Sequence, residues 1–272
     1  MSTRGKALVL AVATMLAAAA CGGSSSGSGS GGSSGGASGG TLDVFAAASL
    51  TNAFGDLEKT FEQQHPGWKV RLNLAGSDQL AAQIEQKAPA DVFAAASPKY
   101  PEQLQGENLL GKTTNFATNS LLLVTPKSNP AGIKTAADLE KGDAKVVVAD
   151  PAVPLGSYTE TVLGNLGIDE TRLNIVSKEQ DAESVLAKLT SGEADAGFVY
   201  ATDAKIDAGK VKVLKVPAWA QPKVQYGICI VSRSGDKADA RAFVAKVMSK
   251  TGQAKLVKAG FLPRVKPKSK TK

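Results

Sequence analysis

Histidine occurs once in these 272 residues and cysteine twice. That scarcity excludes a metal centre built from clustered His and Cys side chains. It also leaves His65 as the only imidazole available to a hydrolase, and His65 sits in QQHPGW, a turn marked by Pro66 and Gly67. Outside the Gly/Ser run that ends at Gly40 no GxSxG elbow exists, and Ser49 has no Lys or His nearby in sequence, so acyl-transfer chemistry lacks its machinery. The sequence reads as a non-enzyme. Aromatic residues are few, at 5%, and none interleaves with basic residues as a nucleic-acid surface requires.

Charge of one sign is also missing from most of the chain, although the total is +7. Arg4 and Lys6 lie at the extreme N-terminus, and the tail RVKPKSKTK (264–272) carries Arg264, Lys266, Lys268, Lys270 and Lys272. Between Leu42 and Pro263 remain 25 basic and 25 acidic residues. The body is neutral, nucleic acid is not expected as a partner, and the tail reads as a solvated end.

The first forty residues separate from the rest by composition. Arg4 and Lys6 precede an apolar run, Ala7 to Ala20, that is too short to span a bilayer comfortably, the pattern of an export signal over residues 1–20. LAAAAC (Leu16 to Cys21) resembles a bacterial lipobox with Ala18 in place of the usual leucine, which implies lipidation at Cys21. Gly22 to Gly40 is almost wholly Gly and Ser, a composition that cannot bury enough surface to fold and would span about 24 Å as a flexible tether. Residues 21–40 are therefore expected to anchor an exported body to the outer face of the cytoplasmic membrane. Cys229, inside the apolar run YGICIVS, is expected to be a small buried hydrophobe.

From Thr41 onward short apolar runs alternate with helical patterns, predicting an α/β fold with mostly parallel sheets. Strands are expected at LDVFAAA, KVRLNLA, DVFAAA, SLLLVTP, KVVVAD, AGFVYA, VKVLKV and VQYGICIV. Helices are expected near 50–64, 79–87, 98–105, 157–166, 181–191, 237–249 and 252–259. The heptapeptide DVFAAAS occurs twice, at 43–49 and 91–97. Each copy reads as a strand ending in a serine just before a helix, so Ser49 and Ser97 are both N-cap candidates. The residues after each serine separate the two copies: SLTNAF leaves backbone N–H groups free, whereas SPKYPE puts Pro98, which has no N–H, at the helix start. Ser49 suits an anion site and Ser97 a cap.

VFAAASLTNAF, LAGSDQLAAQIEQKAPADVFAAAS, VVVADPAVPLGSYTETVL and ADAGFVYATDA, in that order from about Leu42 to Leu262, resemble the periplasmic molybdate-binding proteins of ABC importers. The resemblance implies a monomeric, two-lobed periplasmic-binding-protein fold, type II-like, hinged on two crossing strands and closing on molybdate or tungstate for delivery to a permease and its ATPase. It implies a ligand and no cofactor. Carried over by motif, Ser49 and Ser77 offer hydroxyls, Leu155 and Ala182 backbone N–H groups, and Tyr200 a phenol. Leu155 stands where a small residue is frequent and could crowd the site. Asp78, next to Ser77, would repel an anion if aimed inward and is expected to point outward at its helix start. One lobe would hold residues 41–120 and 228–263, the other 121–227. Helix N-termini can hold a dianion with neutral donors, and a donor-only site disfavours phosphate, which carries a proton. Sulfate is the alternative oxyanion, to be rejected by size. Organic anions or amino acids would need an Arg or Asp in the cleft.

Overall fold

In the computed structural model the described residues are 39–264; the export signal, Cys21, most of the tether and the tail beyond Arg264 lie outside them. In chain order the elements are β1 (Thr41–Ala47), α1 (Thr51–Gln64), β2 (Lys69–Ala75), α2 (Ser77–Glu85), β3 (Val92–Ala95), α3 (Lys99–Gly106) and β4 (Thr114–Asn119). Then come β5 (Leu121–Pro126), β6 (Lys145–Ala149), α4 (Pro154–Leu166), β7 (Asn174–Glu179), α5 (Ala182–Ser191), β8 (Ala196–Tyr200) and α6 (Ala201–Ile206). β9 (Val211–Lys215), β10 (Val224–Ile230), α7 (Lys237–Met248) and α8 (Lys250–Ala259) complete the fold.

Two five-stranded sheets result, ordered β2-β1-β3-β10-β4 and β7-β6-β8-β5-β9. They are mixed, which corrects the expectation of mostly parallel sheets. β1 pairs in parallel with β2 and β3, and β6 with β7 and β8, but β10 and β5 each run antiparallel to both neighbours. The cause is the double crossing. The chain leaves the first sheet at β4, enters the second at β5 after Ser120 alone, and returns through β10, so the strand that enters each sheet at a crossing, β5 or β10, opposes the βαβ units. The return pairs with β4 from Val224 onward.

The heptapeptide repeat acquires a structural meaning. β1 and β3 are neighbours, with Val44 opposite Val92, Phe45 opposite Phe93 and Ala46 opposite Ala94. All six are buried, as expected of central strands covered by helices on both faces. On one face Phe54, Phe61, Phe116 and Phe243 interlock at centroid distances of 5.5–5.9 Å in tilted and edge-on pairs. Each such ring contributes roughly 1.5–3 kcal/mol by burial. On the other face Phe45 and Phe93 pack with Leu80, Ile84 and Leu104 of α2 and α3. The second sheet buries Val146, Val147, Phe198 and Val199 against Leu163, Leu186 and Leu189 of α4 and α5. Cys229 is free and buried, and burial pushes its thiol up to about 12, so it packs as a small hydrophobe.

Candidate functional site

Parallel strands deliver their C-terminal ends, and the helices attached to them, to one edge of each sheet, where open α/β folds gather ligands. Here the two edges face one another. Ser49, Ser77, Leu155, Ala182 and Tyr200 all line a single cavity between them. The space open to the centre of a water molecule is about 20 Å³, where one trapped water needs about 10–15 Å³; this admits a ball of roughly 3 Å radius. That is the scale of a compact inorganic ion and well short of an amino acid.

Each lining residue arrives by a local rule. Ser49 lies in a 3-10 turn (Ala48–Leu50) ahead of α1 and makes no cap hydrogen bond; its Oγ meets the Tyr226 hydroxyl at 2.8 Å. The cap expectation for Ser49 is thus corrected, because the intervening turn moves the helix start to Thr51 and frees the hydroxyl. Ser97 does act locally, its Oγ accepting the Lys99 N–H at 3.3 Å. Ser77 opens α2 after Gly76, and its Oγ accepts the Ala96 N–H at 3.1 Å. Leu155 comes after Pro154 in the first turn of α4 and is buried. Ala182 opens α5, whose N-cap Asp181 also lines the cavity but accepts the Ser184 N–H at 2.7 Å through Oδ1. The amide donors of these first turns have no partner inside their own helices.

Tyr200 closes β8. It is 2% exposed, and its hydroxyl has no hydrogen-bond partner among the described residues. Burial, then the neighbouring Tyr226, pushes its pKa well above the ordinary phenol value, so it is a neutral donor at any physiological pH. A buried orphan hydroxyl is uncommon.

Asp78 behaves differently from expectation. It does not line the cavity, but neither does it stand free in solvent: one carboxylate oxygen is buried without a partner among the described residues. Burial raises its pKa, with Asp150 of the facing lobe adding to the effect. Leu155 lines the cavity and is buried.

Sequence reasoning missed Tyr226 and Asn119. The Asn119 Nδ2 donates to Thr202 Oγ1 at 3.0 Å and to the Tyr226 hydroxyl at 3.3 Å, so Tyr226 and Asn119 stand in line behind Ser49. Tyr226 lies in VQYGICI, where an alternating strand hides its role, and Asn119 lies at the first crossing. Asp203 was missed too. It accepts the Tyr200 N–H at 3.1 Å, and burial raises its carboxyl to about 7.

Residues 42–262 match the family described as bacterial extracellular solute-binding proteins. The chain belongs to this family. Members of this family bind solutes, with neither catalysis nor a resident cofactor. The molybdate-binding protein ModA of Mycobacterium tuberculosis (strain ATCC 25618 / H37Rv) is 41% identical over 219 residues, covering 80% of this chain and 83% of that protein. ModA of Haemophilus influenzae is 34% identical over 228 residues, with 80% and 88% covered. Among solved structures, the periplasmic molybdate-binding protein of Azotobacter vinelandii superposes with a TM-score of 0.72 at 24% identity, covering 82% of this chain and all of that one. These similarities agree with the two-lobed fold and with the resemblance read from the motifs.

Proposed function

We propose that the protein captures molybdate or tungstate in the cavity at Ser49, Ser77, Leu155, Ala182 and Tyr200 and hands it to an ABC permease and its ATPase. The observation that carries this reading is the orphan Tyr200 hydroxyl, buried at a cavity of small-ion size. A donor kept dry and unpaired is stabilised by an acceptor that arrives with the ligand. The two serine hydroxyls and the N–H groups of the first turns of α4 and α5 complete a neutral donor set, and the names of the relatives favour the same cargo. Calorimetric titration of the full chain tests it: molybdate and tungstate bind, while sulfate and phosphate compete only weakly. Equal competition by sulfate would assign the site to another tetrahedral oxyanion.

Delivery from the outer face of the cytoplasmic membrane through a lipid on Cys21 belongs to the same proposal and is supported by the lipobox-like run and the Gly/Ser tether. Cys21→Ser is expected to shift the protein into the soluble fraction with binding intact. Retention in the membrane fraction would count against the anchor.

A further inference from the structure

We infer that Asn119 and Tyr226 are positioning residues that lock Ser49 as a hydrogen-bond donor toward the cavity, so that the site rejects oxyanions carrying a proton. The inference rests on the proposed oxyanion site and deepens it by naming what fixes its polarity.

The direction of every hydrogen along this line of groups is set by one that cannot turn around. The Ser120 backbone N–H donates to Asn119 Oδ1 at 2.9 Å. A backbone N–H only donates, so the atom facing it is the carbonyl oxygen and the opposite end of the amide is the NH2. Its two hydrogens meet two oxygens, Thr202 Oγ1 at 3.0 Å and Tyr226 Oη at 3.3 Å. Thr202 passes its own hydrogen on, to Asp203 Oδ1 at 3.4 Å. Tyr226 has accepted from Asn119, and its remaining partner is Ser49 Oγ at 2.8 Å, so its hydrogen goes there. Ser49 has then accepted, and its own hydrogen is left for the cavity.

Burial keeps this order from being scrambled by water. Tyr226 is wholly buried, and Asn119, Thr202 and Ser49 are 4%, 2% and 7% exposed. The Tyr226 ring is wedged edge-on against Phe116 at 6.1 Å and Phe261 at 5.0 Å, which fixes where its hydroxyl points. Ser77 is polarised in the same sense by a separate group, since its Oγ accepts the Ala96 N–H and its hydrogen is also free. Two hydroxyls that could have accepted a proton from a ligand are thereby held as donors. An anion with a hydrogen on one oxygen brings a donor against donors.

The test compares sulfate with phosphate by calorimetric displacement of molybdate at about pH 8, where the two competitors carry the same charge and differ by one proton. Wild type is expected to bind sulfate better than phosphate. Tyr226→Phe keeps the ring and removes the link, leaving Ser49 free to turn; the phosphate-to-sulfate affinity ratio should rise about tenfold. Asn119→Asp keeps the shape and the acceptor for Ser120 while removing the donor, and should move the ratio the same way. Its added charge opposes both dianions equally and cancels in the ratio. A purely structural role would weaken both competitors alike, so an unchanged ratio in either folded variant overturns the inference while leaving the binding reading intact. A wild-type chain that binds none of these oxyanions overturns both.

Discussion

Burying a hydroxyl without a partner costs about 1–3 kcal/mol, and Tyr200 carries that cost in the unliganded fold. Tyr200→Phe should therefore raise the melting temperature of the empty protein while weakening oxyanion binding by about 1.5–3 kcal/mol, the range for a hydrogen bond to a charged group. Thermal shift and calorimetry on one variant would show the opposite signs; a loss of stability with unchanged affinity would make Tyr200 an ordinary core residue. Asp203 provides a pH signature beside it. Burial lifts its pKa from 3.8 to about 7, so the folded state holds a proton that the unfolded chain releases. Asp203 therefore makes stability fall as pH rises from about 4 to about 7 and level off above. Asp203→Asn, which keeps an acceptor for the Tyr200 N–H, should flatten that slope in denaturant titrations at intervals across the window. Ser49, Ser77 and Tyr200 were legible in the sequence because short motifs mark the residues at strand ends. Asn119 and Tyr226 were not, since their roles come from side-chain meetings across 107 positions of chain, which no local pattern encodes.

Elements show the same division between local and distant causes. β4 (TNFATN) and β7 (NIVSKE) escaped the strand expectation. β7 is an edge strand paired only with β6, alternating exposed and half-buried residues, and β4 is made a strand by antiparallel pairing with β10. α6 is six residues long and continues from β8 without a break, so the strand pattern masks it. Helices with a full apolar stripe, such as α1 and α5, lay close to their expected bounds because the 3.6-residue period is written in the sequence. One helix end invites a direct test. A Cβ on Gly156 would stand 2.0 Å from the Asp150 carbonyl oxygen and 2.7 Å from that of Ala149, so the first turn of α4 touches the end of β6 backbone to backbone. Gly156→Ala should push the turn away, costing about 1–3 kcal/mol of stability and most of the affinity, read by urea titration and calorimetry. Ser97→Ala, by contrast, should cost about 0.5–1 kcal/mol of stability and no affinity.

Over the whole molecule, the two lobes touch through few polar contacts away from the cavity. The Tyr100 hydroxyl of the first lobe donates to the Ala152 carbonyl of the second, and Gln79 Nε2 donates to Gln180 Oε1 at 2.7 Å. Neither side chain lines the cavity. Tyr100→Phe should lower apparent affinity by about 0.5–1.5 kcal/mol through faster ligand release, with a larger radius of gyration in X-ray scattering of the empty protein. An unchanged release rate would show that this contact does not hold the lobes together. The cavity itself sets a further property of the loaded molecule. Its lining offers hydrogen bonds and no cationic side chain, and its one charged residue is Asp181. Hydrogen bonds stabilise an anion without cancelling it, so a captured dianion would remain electrically visible, and filled and empty molecules should migrate at different speeds in an electric field.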